Sequence, residues 1–217
     1  MPQSYDCADP DARAAGLAAA GAAVGAGRLV VLPTDTVYGL GADAFTDSAV
    51  AALLAAKGRG RDMPVPVLIG TMRTLDGIAA RITDAARELV EAFWPGGLTI
   101  VCHQQPSLRW DLGDAAGTVA VRMPLHPVAL DLLKSTGPMA VSSANRTGMP
   151  PATSAIDARN QLGNDVDVYL DGGPTEDSVP STIVDVTGAR PRVLRLGHIS
   201  LEDLRSVAEV DYHPDNA

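Results

Sequence analysis

Short apolar, β-branched runs alternate along the chain with stretches whose apolar residues recur every three or four positions. The runs predict strands at Arg28–Leu32, Val65–Ile69, Leu98–Cys102, Thr118–Arg122, Met139–Ser142, Val166–Leu170, Ser181–Val186 and Arg192–Leu196. Helical spacing predicts helices at Asp11–Gly25, Asp47–Lys57, Thr71–Ala80, Asp84–Phe93, Pro127–Ser135, Ala155–Leu162 and Leu201–Val207. Val50, Leu53 and Leu54 make one buried stripe, and Ala86, Leu89, Val90 and Phe93 another. Thr153 or Ser154 can cap the helix that follows, with Asp157 three residues after Ser154, and Ser200 with Asp203 repeats the pattern. Helices and strands alternate without a strict βα rhythm, and strands follow one another directly near the C-terminus. That order predicts an α/β protein with a mixed sheet.

Composition narrows the class. A chain of 217 residues makes one domain, two at the outside. With 46% hydrophobic and 20% charged residues it has the means to build a core, which excludes a disordered protein. The net charge of −9 argues against a general nucleic-acid coat, which needs a basic face. Cys7 and Cys102 are isolated thiols that fit a reducing, cytoplasmic setting, and their number excludes a disulfide framework and a structural zinc site. No segment approaches the ~18 apolar residues of a membrane span. The Ala-rich stretch Ala14–Ala26 follows Asp6, Asp9 and Asp11 rather than a positive region, so it reads as an N-terminal helix and not a targeting signal. The expected organisation is a helical segment 1–27 packed on the domain, a main domain 28–200, and an acidic helix and solvated tail 201–217 that carries Asp211 and Asp215.

Several familiar signatures are absent. There is no G-x-x-x-x-G-K-[ST] loop and no G-x-S-x-G elbow around Ser142 or Ser143. Gly39-Leu40-Gly41-Ala42-Asp43-Ala44 fits G-x-G-x-x-A on paper, but Pro33 to Tyr38 separate it from the strand. The four histidines have no ligand spacing.

Six polar segments at strand ends remain: Pro33-Thr34-Asp35-Thr36-Val37-Tyr38-Gly39-Leu40-Gly41, Lys57-Gly58-Arg59-Gly60-Arg61, Thr118 to Pro124, Ser142-Ser143-Ala144-Asn145, Pro180 to Asp185, and Arg195-Leu196-Gly197. Each has a bland reading. The first is a threonine turn, the fourth a tight turn, and Lys57 a cation at a helix C-terminus worth about 0.3–1 kcal/mol, with Gly58 as the terminating glycine. One cation suffices at a helix end, however, and three in five positions look like an anion site. Arg122, after alternating apolar residues, must pair or bind something. Ligands of open α/β sheets gather in crevices at strand ends, so six such segments together exceed what turns alone require.

Taken together, P-T-[DE]-T-x-Y-G-L-G, K-x-R, T-x-x-x-R-x-P, S-x-N and S-T-[IV]-[VI]-D, in this order over Arg28 to Gly197, resemble the YrdC-like family, the threonylcarbamoyl-AMP synthases. The resemblance implies an open, twisted mixed sheet with flanking helices and a concave basic face, in the short single-domain form. It implies condensation of L-threonine, bicarbonate and ATP to L-threonylcarbamoyladenylate and pyrophosphate, with Mg²⁺ accompanying ATP. The product serves the downstream machinery that modifies an adenosine next to the tRNA anticodon, and weak tRNA contact and no membrane partner are expected. Carried onto this chain, Thr36, Arg122, Ser143 and Ser181 would bind threonine. Lys57, Arg59, Thr118, Asn145, Thr153 and Arg195 would bind ATP, with Lys57 and Arg59 the catalytic pair that neutralises the phosphates. Met63 and Leu68 depart from polar residues that some members carry there. Two alternatives stay open: a carbamoyl adenylate-forming carbamoyltransferase domain, and an RNA-binding module of the same fold.

Overall fold

The computed structural model describes residues 1–175 and 178–213. Its elements are β1 (Gln3–Asp6), α1 (Pro10–Gly25), β2 (Val30–Leu32), β3 (Gly39–Asp43), α2 (Asp47–Lys57), β4 (Val67–Leu68), α3 (Met72–Ile78), β5 (Ala79–Ala80), α4 (Asp84–Phe93) and β6 (Leu98–Gln104). They continue with β7 (Thr118–Arg122), α5 (Pro127–Thr136), β8 (Met139–Ser143), α6 (Ala155–Leu162), β9 (Val168–Asp171), β10 (Thr182–Asp185), β11 (Arg192–Arg195), α7 (Leu201–Val207) and β12 (Asp211–Tyr212).

The strands form one twisted mixed sheet in the order β1-β9-β2-β3-β8-β4-β7-β6-β10-β11-β12, with β5 paired to β6. Parallel pairs such as β4 with β7 and β6 with β10 alternate with antiparallel ones such as β3 with β8 and β6 with β7. Four strands depart from the sequence expectation. β3 lies where a loop was expected, because Gly39-Leu40-Gly41-Ala42 offers no β-branched residue; it is held between β2 and β8 by its ladders. β1 precedes α1 and pairs with β9, so the first 27 residues contribute a strand as well as a helix. β5 closes the end of the segment expected to be one helix to Ala80. β12 pairs with β11, so the C-terminal segment adds an edge strand; Asp215 lies outside the described residues. β4 is shorter than Val65–Ile69 because Pro64 and Pro66 have no N–H for a ladder. Ser154 caps α6 by accepting from the Asp157 amide, and Ser200 caps α7 by accepting from Asp203, both at 3.1 Å.

The period of two along each strand divides the sheet into two faces. On one face, Val31, Leu40, Val67, Ile100, Val121 and Val184 meet helices α2, α3, α4, α6 and α7 in the larger core. On the other, α1 and α5 bury Ala20, Val24, Val128, Leu132 and Leu133 against Val30, Leu32, Leu68, Met139 and Val141. These two helices cover only the β9-β2-β3-β8-β4 half. Among the described residues no helix lies on the β7-β6-β10-β11 half of that face, and this uncovered half, with the rim of its neighbours, forms a concavity. Among the described residues no helix is long and apolar enough to cross a membrane.

Candidate functional site

A cavity of about 510 Å³ opens on the uncovered half-sheet. Its floor is the alternate set of strand residues whose neighbours enter the core: Thr99 and Val101 from β6, Thr118, Ala120 and Arg122 from β7, Ile183 from β10 and Leu194 from β11, with Arg195 joining them at the end of β11, next to the register shift between β10 and β11. Thr36, Arg59, Ser142, Ser143 and Ser181 border it. Gly39 also lines it, and the missing side chain there matters: a Cβ would stand 2.6 Å from Val141 on the neighbouring strand.

Arg122 is held from three sides. Its Nε donates to the Gly96 carbonyl at 2.9 Å, Nη1 to Thr36 Oγ1 at 2.8 Å and Nη2 to Asp35 Oδ1 at 2.7 Å. The residue is only 6% exposed, and burial pulls its pKa down while the neighbouring Asp35 carboxylate opposes the shift. A guanidinium has five N–H groups, so two remain, one on each terminal nitrogen, the pair a carboxylate takes up bidentately. Thr36 is itself fixed by Thr34, whose hydroxyl donates to the Val37 carbonyl at 2.6 Å and lies 3.2 Å from the Thr36 hydroxyl.

Arg195 reaches across from the sheet edge. Its Nε and Nη2 donate to the Ser181 carbonyl at 3.2 and 2.7 Å, and Ser181 Oγ lies 2.8 Å from Thr99 Oγ1. The approach needs Gly197, where a Cβ would overlap the Pro180 carbonyl oxygen. Burial and then the positive charge of Arg122 both lower the Arg195 pKa. Two guanidiniums thus repel across the cavity, and an anion placed between them relieves the repulsion.

The basic loop after α2 divides its three cations. Gly58 ends the helix at φ 62°, with the Arg59 amide returning to the Leu54 carbonyl, as a helix-terminating glycine does. Arg59 alone turns to the cavity: Nη1 donates to Ser142 Oγ at 3.2 Å, and Nε is buried without a partner. Burial lowers its pKa. Arg61 points outward into an exposed bidentate pair with Asp111 at 2.7 and 2.8 Å.

Lys57, expected at the phosphates, lies outside the lining of this cavity. Its ammonium donates to the Ser143 carbonyl, to the Asn145 carbonyl at 2.7 Å and to Asn145 Oδ1 at 3.5 Å. Three donors meet three acceptors, and the side chain, 3% exposed, lies behind the cavity wall. Burial, reinforced by Arg59, brings its pKa down to about 8. The reason is register: the last turn of α2 faces the Ser143–Asn145 loop, and the Thr147 amide returns to the Lys57 carbonyl at 2.8 Å.

Thr36, Arg59, Thr118, Arg122, Ser143, Ser181 and Arg195 therefore meet at one cavity. Lys57, Asn145 and Thr153 are absent from its lining. Asn145 spends its amide on the Arg146 and Met149 carbonyls at 2.9 and 2.8 Å, folding its own loop. The Thr153 hydroxyl donates to Asp157 in the first turn of α6. Sequence reasoning quoted Thr34, Asp35 and Ser142 within its candidate segments without giving them a role, and it missed Thr99. Thr99 carried a signal: a hydroxyl inside the apolar run Leu98 to Val101 marks a strand face that is not core. Among the described residues no carboxylate or histidine lines the cavity, and no cluster of three metal-ligating side chains occurs.

Comparison with known proteins supplies the context. A family model, Sua5–YciO–YrdC, described as "Telomere recombination", matches residues 22–197. The chain is 61% identical over 211 residues to a Mycobacterium tuberculosis protein named "Putative threonylcarbamoyl-AMP synthase", covering 97% of each. It is 40% identical to the threonylcarbamoyl-AMP synthase of Pyrococcus abyssi, matching over 87% of this chain and 56% of that longer protein. The crystal structure of P. abyssi Sua5 complexed with L-threonine superposes with a TM-score of 0.91 at 35% identity, covering 99% of this chain and 63% of that one.

Proposed function

Since the chain belongs to the Sua5–YciO–YrdC family, we propose that it condenses L-threonine, bicarbonate and ATP to L-threonylcarbamoyladenylate and pyrophosphate, in the cytoplasm, for threonylcarbamoyl modification of tRNA. The observation that carries this reading is the cavity itself: three guanidiniums, four hydroxyl-bearing side chains bonded to them or to each other, and, among the described residues, no carboxylate in the lining. All three substrates are or become anionic, and the site meets them with fixed positive charge.

The roles follow from the bonds. Arg122 takes the threonine carboxylate on its two free N–H groups, with Thr36 and Ser143 beside it and Ser181 across from it. Arg59 and Arg195 take phosphate oxygens, Thr118 stands at the nucleotide end, and the apolar strand residues Val101, Ile183 and Leu194 lie under the base and sugar. The threonine amine attacks the bicarbonate carbon, and loss of water leaves a carbamate. A carbamate oxygen then attacks the α-phosphorus, forming the new P–O bond as the bond to pyrophosphate breaks. The substrate supplies its own nucleophile, so the cavity needs no catalytic side-chain nucleophile. The protein's contribution is to cancel repulsion, at about 1.5–3 kcal/mol per charge-assisted hydrogen bond, and to align the reactants, on the order of 7–11 kcal/mol at best. Mg²⁺ accompanying ATP would add positive charge at the phosphates, beside Arg59 and Arg195. Lys57 and Asn145 serve as positioning residues that hold the Ser143 loop against the end of α2, and Thr153 steadies α6.

The test is pyrophosphate release with ATP, omitting threonine or bicarbonate in turn. Release that requires both supports the assignment. Release without threonine favours a carbamoyl adenylate-forming domain, and RNA binding with no release favours an RNA-binding module.

A further inference from the structure

Asp35 approaches Arg122 from outside the substrate cavity. It lines a second cavity of about 580 Å³, together with Gly96, Leu125, His126 and Gly172, and is absent from the lining of the first. One carboxylate oxygen, Oδ1, accepts from both Arg122 Nη2 at 2.7 Å and the Leu125 amide at 2.8 Å. The ion pair is almost dry, with side-chain exposures of 7% for Arg122 and 13% for Asp35. Among the described residues no other ion pair has both side chains so deeply buried; in each of the others at least one partner is a third or more exposed.

We propose that Asp35 is a positioning residue for the amino-acid substrate: from behind the wall it sets the rotation of the Arg122 guanidinium, so that one N–H on each terminal nitrogen faces the cavity. Resting on the reading that Arg122 holds the threonine carboxylate, this assigns Asp35 no contact with substrate. Gly96 fixes the Nε edge and Thr36 one Nη1–H, but both are neutral acceptors. Asp35 supplies the only charge. Without it the guanidinium loses its strongest partner, and an incoming carboxylate must both orient it and compete with its other bonds. The Leu125 amide binds the same oxygen from the turn that leads into α5, so the carboxylate has a second donor that fixes its place.

Asp35→Asn preserves shape and an acceptor oxygen but removes the charge. The expected result is a rise of ten-fold or more in threonine KM, with the ATP KM unchanged and kcat at saturating threonine within about three-fold. Asp35→Glu, which keeps the charge, restores threonine KM to within a few-fold of the parent. Because Asp35 acts through Arg122, Asp35→Asn placed in an Arg122→Lys background adds less than two-fold to the KM. An unchanged threonine KM in Asp35→Asn, beside a raised one in Arg122→Lys, overturns the proposal alone. An unchanged threonine KM in Arg122→Lys overturns the reading beneath it. An Asp35→Asn chain that does not fold also overturns the proposal, since the carboxylate then holds the fold and not the site.

Discussion

Lys57→Ala separates two accounts of the K-x-R loop by their effect on stability. A lysine that only complements a helix C-terminus contributes about 0.3–1 kcal/mol, and one that only meets ATP contributes nothing to the free protein. The structure gives it a larger share. Truncation leaves the Ser143 and Asn145 carbonyl oxygens without their buried donor, at about 1–3 kcal/mol each. It also removes about three buried methylenes, at about 0.8 kcal/mol apiece. Against this stands the cost of burying the charge. With a pKa brought from 10.5 to about 8, that cost is about 3 kcal/mol at neutral pH. The net loss is on the order of 2–4 kcal/mol, which for a chain of this length lowers Tm by about 5–15 °C. The sign of the pH dependence is set by the same numbers. Between pH 8 and 10.5 the unfolded chain holds the Lys57 proton that the folded chain has released, so this residue's contribution makes stability rise with pH across that window. Lys57→Met removes that rise. The assay is a pair of melts, at pH 7 and pH 10, on parent, Lys57→Ala and Lys57→Met, with pyrophosphate release measured on the same preparations. A Lys57→Ala melt within 2 °C of the parent, with release reduced a hundred-fold or more, refutes the positioning role and returns Lys57 to the phosphates.

Further expectations concern the pocket and the thiols. Arg195→Ala should raise the ATP KM at least ten-fold with little change in melting temperature, because the bonds it gives up go to one carbonyl and one hydroxyl at the sheet edge; a fall in Tm with an unchanged KM would make it a structural tie. L-Serine should be a poor but measurable substrate, since the cavity's apolar wall distinguishes a β-methyl by ~1–3 kcal/mol, and equal efficiency for the two amino acids would contradict the assignment. A thiol-specific reagent should label Cys7, which is partly exposed, and spare Cys102, whose burial raises its pKa to about 12; both should react in urea, and fast labelling of Cys102 in the folded protein would contradict its place in the core.

The period of two and the apolar runs were enough to locate most of the central strands, and helical spacing located the seven α-helices found among the described residues, because both patterns record a local fact: which side of an element is dry. The polar segments at strand ends likewise disclosed most of the site, since a strand end that carries Arg122 or Ser181 breaks a pattern the eye can follow. What stayed hidden depended on partners far away in the chain. β3 has two glycines and no β-branched residue, and becomes a strand only because β2 and β8 flank it. Lys57 looked like one of three equivalent cations until the helix end was set against the Ser143–Asn145 loop, 86 and 88 residues away. Asp35 read as a turn residue until Arg122, 87 residues on, arrived beside it. The sequence by itself determined the elements, the mixed α/β class and the residue types that meet anions. Only the tertiary structure decided that α1 and α5 cover half of one sheet face and leave the other half open, and which cations reach that opening, because strand order and helix placement are set by long-range packing that no local period encodes.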